Sequence, residues 1–309
     1  MAEMLYQRDV YGQTLVELGK TNKEIVVLDA DLSSSTRTSL FAKAYPDRFF
    51  NFGVAEQNMM ATAAGMASCG KTVFASTFAM FATGRAWDQV RNSICYSNLN
   101  VKIVATHAGI SVGPDGASHQ ALEDIALMKV IPNMNIIIPC DGPQTREAVI
   151  AASDTKGPFY VRLGRAKVPT IEGKGEFKLG KAQVLSEGKD ISIIACGIMV
   201  EEALSAAKNL TARGISVRLL NFHSIRPFDK ETIIDCAKET RGLVVCEEHS
   251  IIGGLASSVR EVVAENHPTK VLSVGVKNRF GQSGEPSELL KEYKLTAQDI
   301  ENTAIQLIR

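Results

Sequence analysis

The chain carries no surplus of either charge: 34 Lys and Arg stand against 34 Asp and Glu, leaving a formal net charge of zero. No block of lysine or arginine stands apart, so the electrostatic footprint of a nucleic-acid binder is missing. No stretch reaches the ~18 uninterrupted apolar residues of a membrane span, and the opening MAEMLYQRDV has no apolar core of the kind a signal peptide needs. The six cysteines, at 69, 95, 140, 196, 236 and 246, include no CxxC pair, and their scatter through apolar runs suits a reducing compartment. A cytoplasmic protein with no nucleic-acid and no membrane partner is expected. There is also no Walker phosphate loop, no GxGxxG after the first strand and no GxSxG elbow, which removes the usual handles for nucleotide chemistry and for a serine nucleophile. Cys95 and Cys140 have no adjacent histidine to activate them.

What is present is an alternation. At 309 residues the chain exceeds the usual size of a single core and predicts two. Short β-branched runs, EIVVLD (24–29), VKIVATH (101–107), NIIIP (135–139) and PFYVRL (158–163), read as buried strands separated by helical patterns. EQNMMATAAGMASCG has small and apolar residues on all sides and ends in glycine, as a buried helix closed by a C-cap does. Residues 164–180, rich in lysine, arginine and glycine, break the rhythm and read as a linker. The alternation then restarts with DISIIACG, a helix whose Val200, Ala203, Leu204, Ala207 and Leu210 share one face, and the strands ISVRLL, GLVVCEE and KVLSVGV. The fold class is therefore α/β, with two doubly wound domains.

Three stretches could carry chemistry. THAGISVGPDGASHQ (106–120) follows a strand, where open α/β sheets bind their ligands. Its His107, Asp115 and His119 are a zinc-like set of atoms on a glycine loop without the usual short ligand spacing, or alternatively a loop that grips a substrate. Glu56 opens the small-residue helix. A carboxylate there can simply compensate the helix dipole. Flanked by Val54, Ala55, Met59 and Met60 it can also be a buried acid, because desolvation raises a carboxyl pKa toward values useful in proton exchange. Phe78 and Phe81 come after a strand and before a helix expected to begin near Thr83. They are either core or a platform for a flat heteroaromatic ring.

GVAEQNM, ASTFAMF, THAGISVGPDGASHQALED, IPNMNIIIPCDG and FYVRLGR, followed by NFHSIRPFD and EEHSIIGGLASSV, resemble in order and spacing the C-terminal portion of transketolases. These are thiamine diphosphate enzymes that move two-carbon ketol units between sugar phosphates. The resemblance implies a pyrimidine-binding domain at 1–166, a linker at 167–180 and a transketolase C-terminal domain at 181–309. The family's first domain, with its GDG motif for Mg2+ and the cofactor's diphosphate, has no counterpart, since the chain contains no GDG. The resemblance therefore implies one half of a split enzyme. Its partner would be an N-terminal subunit carrying the diphosphate site and Mg2+, and the assembly an α2β2 heterotetramer.

Carried onto this sequence, the resemblance makes Glu56 the group that hydrogen-bonds the aminopyrimidine and places Phe78 and Phe81 on its ring. It puts His107, Asp115 and His119 on the ketose hydroxyls, with His119 also able to move protons. Arg165 would grip the substrate phosphate, and Arg8 and Ser35 occupy matching positions for the same anion. Arg85 would belong to the pyrimidine pocket, but FAMFATGRAWDQV carries one residue more than common family versions between the phenylalanine pair and the DQ pair. The alternatives are the beta subunit of a 2-oxo acid dehydrogenase, a deoxyxylulose phosphate synthase and a non-catalytic assembly or regulatory subunit. VGPDGASHQ, matched to several hydroxyls, argues against the first.

Overall fold

The computed structural model describes residues 3–173 and 175–309; residues 1, 2 and 174, the last within the expected linker, lie outside the description. In chain order the strands are β1 Met4–Tyr6, β2 Ile25–Asp29, β3 Phe49–Asn51, β4 Thr72–Ser76, β5 Val101–Ala105, β6 Asn135–Ile137, β7 Phe159–Arg162, β8 Lys167–Pro169, β9 Gln183–Ser186, β10 Ile191–Ala195, β11 Val217–Asn221, β12 Ser224–Arg226, β13 Leu243–Ser250 and β14 Val271–Val276.

The first sheet runs β12-β6-β7-β5-β4-β2-β3 and the second β14-β13-β10-β11-β9. Within them β2, β3, β4, β5, β6 and β7 are mutually parallel, as are β10, β11, β13 and β14, whereas the edge strands β12 and β9 run antiparallel to their neighbours. A parallel strand needs helices on both faces, so its sequence is apolar throughout. β2 shows why: Val26 and Leu28 enter the core beneath helix Glu56–Ser68, while Ile25 and Val27 join Tyr11, Leu15 and Val149 on the opposite face. The first of these cores continues into the second domain through Ile194, Leu220, Val245 and Val259. The two domains thus share buried apolar surface, the dominant favourable term in folding.

Three details differ from the sequence reading. The expected linker begins with a strand, β8, which pairs antiparallel with β1 and buries Val168 opposite Leu5. β12 leaves the second domain and closes the edge of the first sheet on β6; sequence periodicity cannot reveal a pairing across that distance. The helix expected from near Thr83 is replaced by two π-helical segments, Phe81–Arg85 and Gln89–Cys95. Both begin within FAMFATGRAWDQV, the stretch in which the resemblance placed an additional residue. In the second domain Val200, Ala203, Ala207 and Leu210 are buried on helix Met199–Ala212, and Leu204 is packed half-buried against the same core.

Candidate active site

The site forms where β2, β4 and β5 end. After β3, Gly53 adopts a left-handed backbone (φ +65°) and the chain turns into helix Glu56–Ser68 at Ala55. Met59, Met60 and Ala63 bury the inner face of that helix completely and fix its first turn over the sheet. Glu56 is thereby 2 % exposed. Its surroundings are not purely apolar: Arg85 Nη1 donates to Oε1 and Oε2, both at 2.8 Å. The Arg85 side chain is 47 % exposed and its guanidinium carbon lies 4.5 Å from the centre of the Phe81 ring. The π-segment ends at Arg85 and so delivers it to the carboxylate.

Phe78 extends β4 and bridges in parallel to Thr106 beyond β5, so two strand ends meet at this point. The Phe78 and Phe81 rings lie 6.0 Å apart and nearly parallel, at 16°. The His107 ring stacks on Phe78 at 3.9 Å and 21°, and His119 approaches Phe81 edge-on at 5.3 Å. His107 adopts φ 58°, a conformation uncommon outside glycine, which turns its ring back onto Phe78. Burial, helped by the nearby charges of Arg8, Arg165 and His119, pushes its pKa down to about 3. The imidazole is therefore neutral at ordinary pH, with Nδ1 held by the Thr106 hydroxyl at 2.8 Å.

The remaining candidates fall into two groups. Arg8 and Arg165 line one cleft of about 540 Å³ together with Tyr6, Ser111, Lys167 and Glu285. Arg8 Nη1 donates to the carbonyl of Ser35 at 3.3 Å, and Arg165 Nη1 to that of Val112 at 2.7 Å. Burial, together with neighbouring Arg37, lowers the Arg8 pKa from its ordinary value. Asp115, by contrast, is exposed in a turn and makes no hydrogen bond or ion pair with a described residue, and His119 is half-buried beside the Ser118 hydroxyl. Among the described residues no three His, Cys, Asp or Glu side chains converge as metal ligands do.

Two contributors escaped the sequence reading. Lys167 reaches the arginine-lined cleft because β8 pairs with β1, and only that pairing could have pointed to it. Asp29, at the end of β2, accepts from the Leu32 amide at 2.6 Å and from the hydroxyls of Thr36 and Thr38 at 2.7 and 2.8 Å. It thereby ties down the loop that carries Ser35. Burial raises its pKa to about 6 against these hydrogen bonds. The signal for it was the DADLSSST run, where an aspartate is followed by several hydroxyl side chains.

Comparison with known proteins gives the same assignment from both domains. Residues 3–170 match the model of the transketolase pyrimidine-binding domain, and residues 180–300 that of the transketolase C-terminal domain. A Methanocaldococcus jannaschii protein named as a transketolase C-terminal section is 51 % identical over 298 residues, 95 % of this chain and 93 % of that protein. A 6-deoxy-6-sulfo-D-fructose transketolase subunit of a Clostridium species is 41 % identical across 96 % of this chain and 92 % of its own length. A solved structure described as a split gene transketolase, inactive beta4 tetramer, is 52 % identical and superposes with a TM-score of 0.91 over 98 % of both chains. No helix among the described residues is long and apolar enough to cross a membrane.

Proposed function

Because this chain belongs to the transketolase family, we propose that it is the C-terminal subunit of a two-chain transketolase. In this reading it transfers a two-carbon ketol unit from a ketose to an aldose phosphate when joined to a separate N-terminal subunit. The observation that carries the reading is the gathering of Glu56, Phe78, Phe81, His107 and His119 at one sheet end. The family depends on thiamine diphosphate. The residues present fit its aminopyrimidine, since a buried carboxyl group beside parallel aromatic rings can share a proton with a ring nitrogen while the ring faces stack. They offer no counterpart of the GDG motif, so the diphosphate and Mg2+ fall to the partner.

When bound, the cofactor supplies the carbon nucleophile. The chain's own residues do the rest. Glu56 holds a proton at the pyrimidine ring nitrogen, which requires Arg85 to give up at least one carboxylate oxygen. Neutral His107 presents one ring nitrogen to a ketose hydroxyl while Thr106 holds the other, and His119 is placed to take or return a proton. Asp115, exposed in its turn, accepts from a hydroxyl of the sugar. Arg8, Arg165 and Lys167 attract the terminal anion, with the Ser35 segment beside Arg8. A relative named for a sulfo-sugar suits a cleft selective for negative charge rather than for phosphate alone. The inactive tetramer of a 52 % identical chain supports the reading that this subunit needs its partner.

The test is reconstitution of both subunits with thiamine diphosphate and Mg2+, followed by a screen of ketose donors. Glu56→Gln in the mixture should abolish ketol transfer, and wild-type turnover by that variant would overturn the role of Glu56. Native mass determination should give two copies of each subunit. A 2-oxo acid dehydrogenase would instead consume pyruvate-like acids.

A further inference from the structure

The loop from Thr106 to Gln120 is braced from behind by the second domain. Glu248 in β13 is 3 % exposed, and its Oε1 accepts the Ser111 amide at 2.6 Å. The same carboxylate lies against Gly109, where a Cβ would stand 2.2 Å from Oε2 and where φ is +85°. Only glycine tolerates both conditions. Arg162 Nη2 donates to the Glu248 carbonyl at 2.9 Å, and the Ser250 amide donates to Leu122 at 2.8 Å. At the other end of the loop Gln120 Nε2 donates to Ile110 and Gln282 carbonyls at 3.1 and 2.9 Å, and Gly116 faces Ser283 so closely that a Cβ would come within 2.6 Å of its hydroxyl. The backbone between His107 and His119 is therefore shaped by contacts that come from the second domain.

We propose that Glu248 is a positioning residue: through the Ser111 amide and the space over Gly109 it sets the course of the loop and hence where His107 and His119 meet the sugar. The inference rests on reading this loop as the sugar-handling one. A carboxylate suits the task because a charge-assisted hydrogen bond to a backbone amide is about twice as strong as a neutral one. An apolar residue would leave the Ser111 N–H buried without a partner. Glu248 and His107 belong to different domains, so the second domain becomes part of the substrate site without touching substrate.

Hydrogen exchange of the Ser111 amide tests the anchoring in this chain without any sugar. Glu248→Ala should speed exchange across residues 109–113 by roughly tenfold or more. Glu248→Asp, which keeps the charge but withdraws it by one methylene, should give a smaller acceleration, and Glu248→Gln, an acceptor of the same reach without the charge, should restore protection in part. In the reconstituted enzyme the same order should appear as a rise in ketose KM that exceeds the fall in kcat, with thiamine diphosphate affinity unchanged. If the alanine variant does not fold, the aspartate variant carries the test. Unaltered exchange in the aspartate and alanine variants would overturn the proposal, as would faster exchange with a wild-type ketose KM. Failure of the sugar-loop reading shows separately, as a His107→Asn variant with unchanged ketose KM.

Discussion

Of the carboxylate–arginine pairs in this chain, two with deeply buried carboxylates are built for different purposes. Asp124 and Arg162 are 0 % and 6 % exposed in their side chains, joined at 2.7 Å, and Tyr160 adds a hydroxyl to the same carboxylate oxygen at 2.6 Å. Against the upward push of burial, the Arg162 guanidinium holds Asp124 below the usual carboxylate range. Arg162 also donates to the carbonyls of Ala121 and Glu248, so no member can move without leaving a buried polar group unpaired. Glu56 and Arg85 are the opposite case. The carboxylate is as deeply buried, but its arginine is half in solvent, reaches it with one nitrogen and rests on Phe81. A buried charge can be released to do chemistry only if its partner can leave, and Arg85 can leave into water.

The sharpest way to break this comparison is Glu56→Gln. Activity in the reconstituted enzyme should fall by at least about 100-fold, the scale of a lost acid–base group, while thermal unfolding stays near wild type because the amide still accepts from Arg85. Asp124→Asn should do the reverse to stability: it leaves Arg162 uncompensated and should cost about 3–5 kcal/mol in denaturant unfolding.

A smaller effect should appear with pH. The unfolded imidazole binds a proton near 6.5, whereas burial holds folded His107 at about 3 and folded His223 at about 4. The folded state therefore binds fewer protons, and stability declines as pH drops below about 6.5, by at most ~1.4 kcal/mol per unit for each group. Asp29, raised to about 6, works the other way: between about pH 6 and 4 the folded state binds the additional proton, and acidification adds stability. Unfolding curves from pH 7 to 4 should thus show a decline that flattens in His107→Asn and steepens in Asp29→Asn. The smallest expected change is Arg85→Met: it takes the partner from the Glu56 carboxylate, but water can enter where the half-exposed guanidinium stood, so the loss of stability should stay below that of Asp124→Asn. A loss comparable to that of Asp124→Asn would mean that Arg85 is structural after all.

How much of this was legible follows from the distance between partners. β2, β5, β7 and β10 announce themselves because a strand covered on both faces must be apolar along its length. The turn into Glu56 and the phenylalanines beyond β4 are likewise local features, readable from a few consecutive residues. The pairing of Arg85 with Glu56 was not readable. It depends on the π-helical course of Phe81–Arg85, which the sequence reading had as the start of an ordinary helix. Lys167 was hidden inside an apparent linker until β8 paired with β1. Glu248 lies in a run that reads as an ordinary buried strand, and nothing near it in the chain names Ser111, 137 positions away.

The sequence by itself determined the layered α/β plan, the family and the identities of the reactive side chains, because hydrophobic period and local motifs act over a few residues. Only the tertiary structure decided which carboxylate meets a half-exposed arginine, which meets a buried one, and which reaches into the other domain to accept from a loop amide. Those choices are hydrogen bonds and ion pairs between distant segments. Their energies exist only once burial has removed the competing water.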